Sequence, residues 1–305
     1  MTNLRFGIVT DFYGIQMPLP KALRCLSRRG FSDVEIPGRH LFEDALIPDG
    51  APKVLKKLRA INKLTKDLGI TIWQIHGPGN DLAAESQNTR NNNIDVFKKW
   101  LECCQEIDCR CLVIHLGTNG FGDSKEINRI KKRSLDSLFK LSEYMKGEKV
   151  KLALENYLCK HLDSPGDTKT YGFPISGLKD LISQLKSENI GLCLDTGHAN
   201  IEGIDIPSFI NEMRSFLIAT HIQENNGIND MHMFPFSLRR IFSKMDWFAI
   251  FRAFQKINYP YPLVGECANS LGELPFWLKD DYLKSQKGLL DKVLLSSMSQ
   301  SSDSK

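Results

Sequence analysis

The stretch HIQENNGINDMH, residues 221–232, brackets a polar, glycine-containing loop with His221, Asp230 and His232. Six more side chains of the same chemical kind lie elsewhere: His76, His115, Glu155, Asp195, His198 and Glu266. Each alone has an ordinary explanation. An imidazole at a strand end is more often a hydrogen-bonded structural residue, and a glutamate in the apolar run LALEN could pair with a buried cation. Gathered in one place they have another. Nitrogen and oxygen donors without a thiolate suit Zn²⁺, Mn²⁺, Fe²⁺ or Co²⁺ and disfavour a structural thiolate zinc site. Converging carboxylates also repel one another and raise their own pKa values unless a cation neutralises them.

Convergence depends on the elements that carry these residues. Strand-like runs occupy residues 4–11, 32–38, 70–77, 110–117, 150–156, 189–198, 216–224 and 261–267. They are rich in Ile, Val and Leu and mostly continuous, as expected of strands covered on both faces. Helical stretches at 18–30, 52–69, 91–108, 126–147, 175–187, 206–214, 246–258 and 274–298 alternate with them. The first has Pro early and Gly at its end, which are helix start and stop signals. The alternation predicts an α/β fold, a (β/α)₈ TIM barrel, in one domain over residues 1–298 with a polar tail at 299–305. A doubly wound open sheet is the alternative. A nucleotide-binding version usually carries GxGxxG after its first strand, where this chain reads TDFYGIQMP.

In a barrel the C-terminal strand ends meet on one face. His76, His115 and Glu155 end the third, fourth and fifth runs, and Asp195 and His198 the sixth. His221 lies near the end of the seventh, with Asp230 and His232 in the loop beyond, and Glu266 ends the eighth. Glu35, at the end of VEIPG, stands at the same level, although a helix cap or a salt bridge would also account for it.

Composition bounds the rest. With 42% hydrophobic residues the chain can build a sizeable core, and a net charge of +4 from 40 basic and 36 acidic residues lacks the strongly basic field of a dedicated nucleic-acid binder. The densest basic run, KEINRIKKRS (125–134), reads as a solvated helix face. No transmembrane helix is expected, and MTNLRFGIVTDFYG lacks the segments of a signal peptide, so a cytoplasmic location follows by default. The eight scattered cysteines include no CxxC, which predicts reduced thiols rather than a disulfide framework.

LALEN (152–156), CLDTGHAN (193–200), the H-x₈-D-x-H of residues 221–232 and PLVGE (262–266) together resemble the xylose-isomerase-like barrel superfamily. That superfamily holds sugar and sugar-phosphate isomerases and epimerases and also abasic-site DNA endonucleases. The resemblance implies one divalent metal on Glu155, Asp195, His221 and Glu266. In the endonuclease branch it implies further metals on His76 and His115, sharing Glu155, and on His198, Asp230 and His232. The flanking residues resemble the isomerase and epimerase branch more closely. The fifth strand continues as ENYLCKHLD rather than a small-residue run such as MAGQG, and the strand-seven loop is neutral to acidic. That loop also has Asn225, Asn226 and Gly227 where ketohexose epimerases often place an arginine.

The expectation is therefore a metal-dependent sugar or sugar-phosphate isomerase or epimerase, with Glu155 and Glu266 as catalytic bases. His198 and His76 would hydrogen-bond sugar hydroxyls, and Trp73 would offer an apolar wall. The partner is a small sugar. Nucleic acid and membrane are not expected, and a homo-oligomer is open. Phosphodiester hydrolysis at abasic sites is the alternative, and a non-catalytic sugar-binding barrel a third reading. Tyr157, Tyr171 and Phe173 lie in a loop, 156–175, long enough to act as a lid. His40 and His161 are given no role.

Overall fold

Each apolar run supplies one parallel strand: β1 (Phe6–Val9), β2 (Asp33–Pro37), β3 (Thr71–His76), β4 (Cys111–Ile114), β5 (Lys151–Glu155), β6 (Ile190–Asp195), β7 (Leu217–His221) and β8 (Leu263–Gly265). The computed structural model describes residues 4–48, 51–117, 124–157, 175–239, 241–267 and 274–299. Strands pair in the order β7-β6-β5-β4-β3-β2-β1-β8. The parallel bridge Ile222↔Gly265 brings β7 to β8, with Ile222 N–H donating to Val264 O at 2.7 Å. Beside it, Val264 N–H donates to the Thr220 hydroxyl at 3.0 Å, so a side chain stands in for a ladder carbonyl. The eight-stranded barrel predicted from the alternation is nearly closed.

Ten α-helices accompany the strands among the described residues: α1 (Leu19–Arg28), α2 (Gly38–Leu41), α3 (Ala51–Asp67), α4 (Gln87–Glu106), α5 (Ser124–Tyr144), α6 (Ile175–Leu185), α7 (Thr196–Ile201), α8 (Ile206–Met213), α9 (Trp247–Lys256) and α10 (Phe276–Ser299). In α1 the buried residues Leu19, Ala22, Leu23 and Leu26 form one stripe at helical spacing, which the barrel wall covers. The helix stops as its sequence predicts. Gly30, at φ 83°, turns the chain, and Phe31 N–H closes onto Leu26 O at 3.1 Å. The basic run of α5 is a mostly solvated face: Arg129 and Lys132 are exposed, while Ile130 and Ser134 turn inward. Two short helices were not expected from the sequence. One of them, α7, starts because the Asp195 side chain accepts from His198 N–H at 2.7 Å.

Side chains alternate along each strand, so residues two apart share the barrel interior. Val113, Ala153, Cys193 and Ala219 are buried there with Cys111 and Ile218. Two residues further along the same four strands come His115, Glu155, Asp195 and His221. Small apolar residues thus form a floor beneath the polar layer. The described cysteines are free and buried. No helix among the described residues is long and apolar enough to cross a membrane. Most of loop 156–175, with Tyr171, Phe173, Cys159 and His161, lies outside the described residues, as does most of the tail expected at 299–305.

Candidate metal centre

The barrel brings the predicted ligands together. Glu155, Asp195, His221 and Glu266 each offer a donor atom within 4.8 Å of the others. His221 Nδ1 lies 3.1 Å from Glu155 Oε1, 3.4 Å from Glu266 Oε2 and 4.0 Å from Asp195 Oδ2. Two donors on one ion, each at about 2.1 Å, stand roughly 3 to 3.4 Å apart. Most of the observed spacings fall in that range.

The donor chemistry also fits an ion. His221 Nε2 meets Glu35 Oε2 at 2.7 Å. This fixes the ring and turns Nδ1 toward the carboxylates. Nδ1 is buried there and makes no hydrogen bond. A buried nitrogen with its second nitrogen held by a carboxylate is the arrangement of a metal-ligating histidine. Three more imidazoles are held from behind in the opposite sense. Nδ1 of His76, His198 and His232 meets the backbone oxygens of Gly77, Asn156 and Glu266 at 3.1, 2.9 and 3.0 Å. Their Nε2 atoms then face carboxylates.

A second group shares Glu155. His115 Nε2 lies 2.9 Å and His76 Nε2 3.3 Å from Glu155 Oε2. His198, Asp230 and His232 adjoin it as a chain, with Asp230 Oδ2 at 3.3 Å from His198 Nε2 and 2.9 Å from His232 Nε2. All nine predicted ligand positions therefore lie on one face.

Burial and charge oppose each other throughout this face. Burial raises the Glu155 pKa, but His221 and His115 outweigh it and hold the carboxyl well below the usual range. Burial, with repulsion from Glu155 and Asp230, raises Asp195. Glu266, one-fifth exposed, is pushed up to about 7 by burial, with Glu155 and Asp195 adding repulsion. Burial disfavours charged imidazoles, yet Glu155 carries His76 up to about 9, Asp195 and Asp230 carry His198 to about 10, and Asp230 and Glu266 carry His232 to about 9. Burial prevails only at His115, which is lowered. The carboxylates thus favour positive charge on His76, His198 and His232, the electrostatic role a divalent cation would share.

One expectation needs revision and one open choice is narrowed. Trp73 does not line this face. The register between β2 and β3 shifts at Val34/Glu35, which leaves Trp73 as an extra residue. Its indole stacks on Tyr261, 4.8 Å away, in the segment that precedes β8, toward the N-terminal end of the barrel. Among the described residues, Tyr157 is an aromatic ring that does touch the site, its centroid 4.4 Å from His115 and 5.0 Å from His198. Glu35, weighed as a helix cap or a salt-bridge partner and as a residue that reaches this face, is 1% exposed and pairs with His221. Gln74 in turn donates to Glu35 Oε2 at 2.5 Å and to Thr220 O at 3.2 Å across the barrel.

Two amides also went unread in the sequence. Gln223 Nε2 donates to Asp230 Oδ1 at 2.6 Å, and its Oε1 accepts from His232 N–H at 3.2 Å. Asn156 Oδ1 accepts from Asp195 N–H at 2.8 Å, and its Nδ2 donates to Asp195 O at 3.0 Å. The available signal was position: Gln223 follows His221 by two, and Asn156 directly follows Glu155. His40, given no role, ties Thr10 Oγ1 at 2.9 Å to Met17 O at 2.7 Å.

The ligand-bearing wall opens into a cavity of about 450 Å³. It is lined by Asp11, Glu35, Arg39, His76, His232 and Glu266 together with Val9, Ala45 and the turns around Gly38 and Pro78. That is the size range of small-molecule pockets.

Among solved structures, a D-tagatose 3-epimerase-like protein matches with a TM-score of 0.76 and 18% identity, over 97% of this chain and 99% of that one. At that identity the likeness is one of fold. In sequence, the uncharacterized protein MJ1311 of Methanocaldococcus jannaschii is 26% identical over 164 residues, 52% of this chain and 53% of that protein. A probable endonuclease 4 of Cenarchaeum symbiosum is 28% identical over 138 residues, 45% of each chain. The chain spans about half the length of the curated relatives it matches. A family model reaches much further, over residues 23–287, and by it this chain belongs to the xylose isomerase-like TIM barrel family.

Proposed function

We propose that this protein is a divalent-metal-dependent sugar isomerase or epimerase. One observation carries the reading. Two carboxylates from strands three places apart around the barrel, Glu155 and Glu266, approach the same imidazole nitrogen beside a cavity of about 450 Å³. Glu155, Asp195, His221 and Glu266 would hold the ion, which when bound would polarise a substrate carbonyl and stabilise an enediolate.

The chain's own residues would move the protons. Glu155 and Glu266 each have a second carboxylate oxygen, and they face the centre from different strands. Two bases on opposite faces of a carbon give epimerisation, and one base on one face gives aldose–ketose transfer. General acid–base work of this kind contributes about a hundred- to ten-thousandfold. His76 and His232 border the cavity, where a bound substrate would meet them. A D-tagatose 3-epimerase-like protein, a D-psicose 3-epimerase and an L-ribulose 3-epimerase among the structural matches support the sugar class.

The test is turnover of a panel of aldoses and ketoses by the metal-loaded protein, with Glu266→Gln as control. This variant should fold, because Gln keeps the shape of the side chain and the Glu266 backbone oxygen still meets His232 Nδ1 at 3.0 Å. It should lose at least about a hundredfold in turnover. Full activity in Glu266→Gln, or no turnover by the wild type on any sugar, would count against the reading.

Phosphodiester hydrolysis at abasic sites is the second reading. The His76–His115–Glu155 group, the His198–Asp230–His232 chain and the endonuclease 4 relatives favour it. It predicts up to three ions per chain and nicking of abasic DNA. Against it, Arg39 is the one Lys or Arg among the described residues that line the cavity, whereas a groove for a phosphate backbone needs several.

A further inference from the structure

Asp11 and Arg39 form an ion pair in the lining of the cavity. Asp11 follows β1, and its side chain is only 5% exposed. Arg39, in α2, is 65% exposed and reaches Asp11 Oδ2 with a guanidinium nitrogen at 3.1 Å. Both line the cavity that also holds Glu266 and His76. A further acceptor lines the same cavity beside the ligand group: Glu35 is 1% exposed, and its Oε1 has no hydrogen-bond partner.

We infer that Asp11 and Arg39 form a subsite for the hydroxyl groups of an unphosphorylated sugar, and that they select against phosphate esters. This rests on the isomerase reading and names its substrate class. The argument is one of donors and acceptors. A sugar hydroxyl both donates and accepts. Against the pair it can donate to the carboxylate and accept from the guanidinium, so a vicinal diol satisfies both. A phosphate dianion only accepts. The one Lys or Arg it would find among the described lining residues is already neutralised by Asp11, while Asp11, Glu35 and Glu266 line the same space. Like charges that share one cavity partly shielded from water repel.

The experiment measures both binding and turnover. Metal-loaded protein is titrated calorimetrically with free pentoses and hexoses and with their terminal phosphate esters, and product formation is followed on the same panel. Wild type should prefer the free sugars at least tenfold, in Kd and in kcat/KM. Asp11→Asn keeps the shape but removes the negative charge. It should weaken free-sugar binding about tenfold and shrink or invert the preference, because Arg39 is then uncompensated. Should Asp11→Asn fail to fold, the exposed Arg39→Gln serves instead. It should depress binding of the phosphate esters more than that of the free sugars. A wild-type preference for the phosphate esters overturns the inference while leaving the isomerase reading intact, as does an unchanged preference in either variant. Selective binding of free sugars without turnover overturns the isomerase reading and keeps the subsite. No binding of any sugar overturns both.

Discussion

His221 can offer Nδ1 to a cation only while its Nε2 is engaged, and the group that engages it is Glu35. Gln74 holds Glu35 in turn, so two buried side chains from β2 and β3 fix one ring on β7. A partner of this kind orients a metal-ligating imidazole, and its loss typically lowers metal affinity about 10- to 100-fold. Glu35→Ala should show that loss in a calorimetric metal titration. Glu35→Gln, whose amide oxygen can still accept from Nε2, should retain most of the affinity. Equal affinity in Glu35→Ala and wild type would show that the ring is held by packing alone. The sequence placed Glu35 at the right level of the barrel but left its role open. A carboxylate at a strand end is interpretable only with its partner, and that partner lies 186 positions away.

At the scale of elements, the strands were legible because a strand buried on both faces leaves a continuous apolar run, and the polar residues ending those runs marked the site. What alternation could not reveal was a bulge. A single inserted residue between β2 and β3 redirects Trp73 toward Tyr261, and nothing in TIWQIH announces it. The short helix α7 was missed for a related reason. Its start depends on the Asp195 side chain, which was read as a ligand and is also a cap. That helix approaches the loop after β7 closely. A Cβ placed on Gly197 would stand 2.2 Å from Gln223 Cδ, a buried amide that holds Asp230 and the His232 backbone. Gly197→Ala should therefore displace Gln223 and cost about 1–3 kcal/mol in chemical denaturation. A variant as stable as wild type, with unchanged ion stoichiometry, would show that the loop yields freely.

Across the whole molecule, net charge and local charge diverge. The chain carries +4 overall, yet its C-terminal face collects Asp11, Glu35, Glu155, Asp195, Asp230 and Glu266. Composition argued only against a strongly basic surface, whereas the barrel concentrates acid where chemistry would occur. The meeting of the last two strands adds a mechanical corollary. Between β7 and β8 the ladder is thin, one bridge plus a borrowed hydroxyl, so this seam is the natural place for the cylinder to breathe. His221 and Glu266 sit on its two lips, 3.4 Å apart. An ion gripped by both would rivet the seam. Deuterium uptake at the Ile222 and Glu266 amides should slow at least tenfold on adding metal, while amides of β3 and β4 change little. Uniform slowing, or none at the seam, would mean that the staves are locked without it.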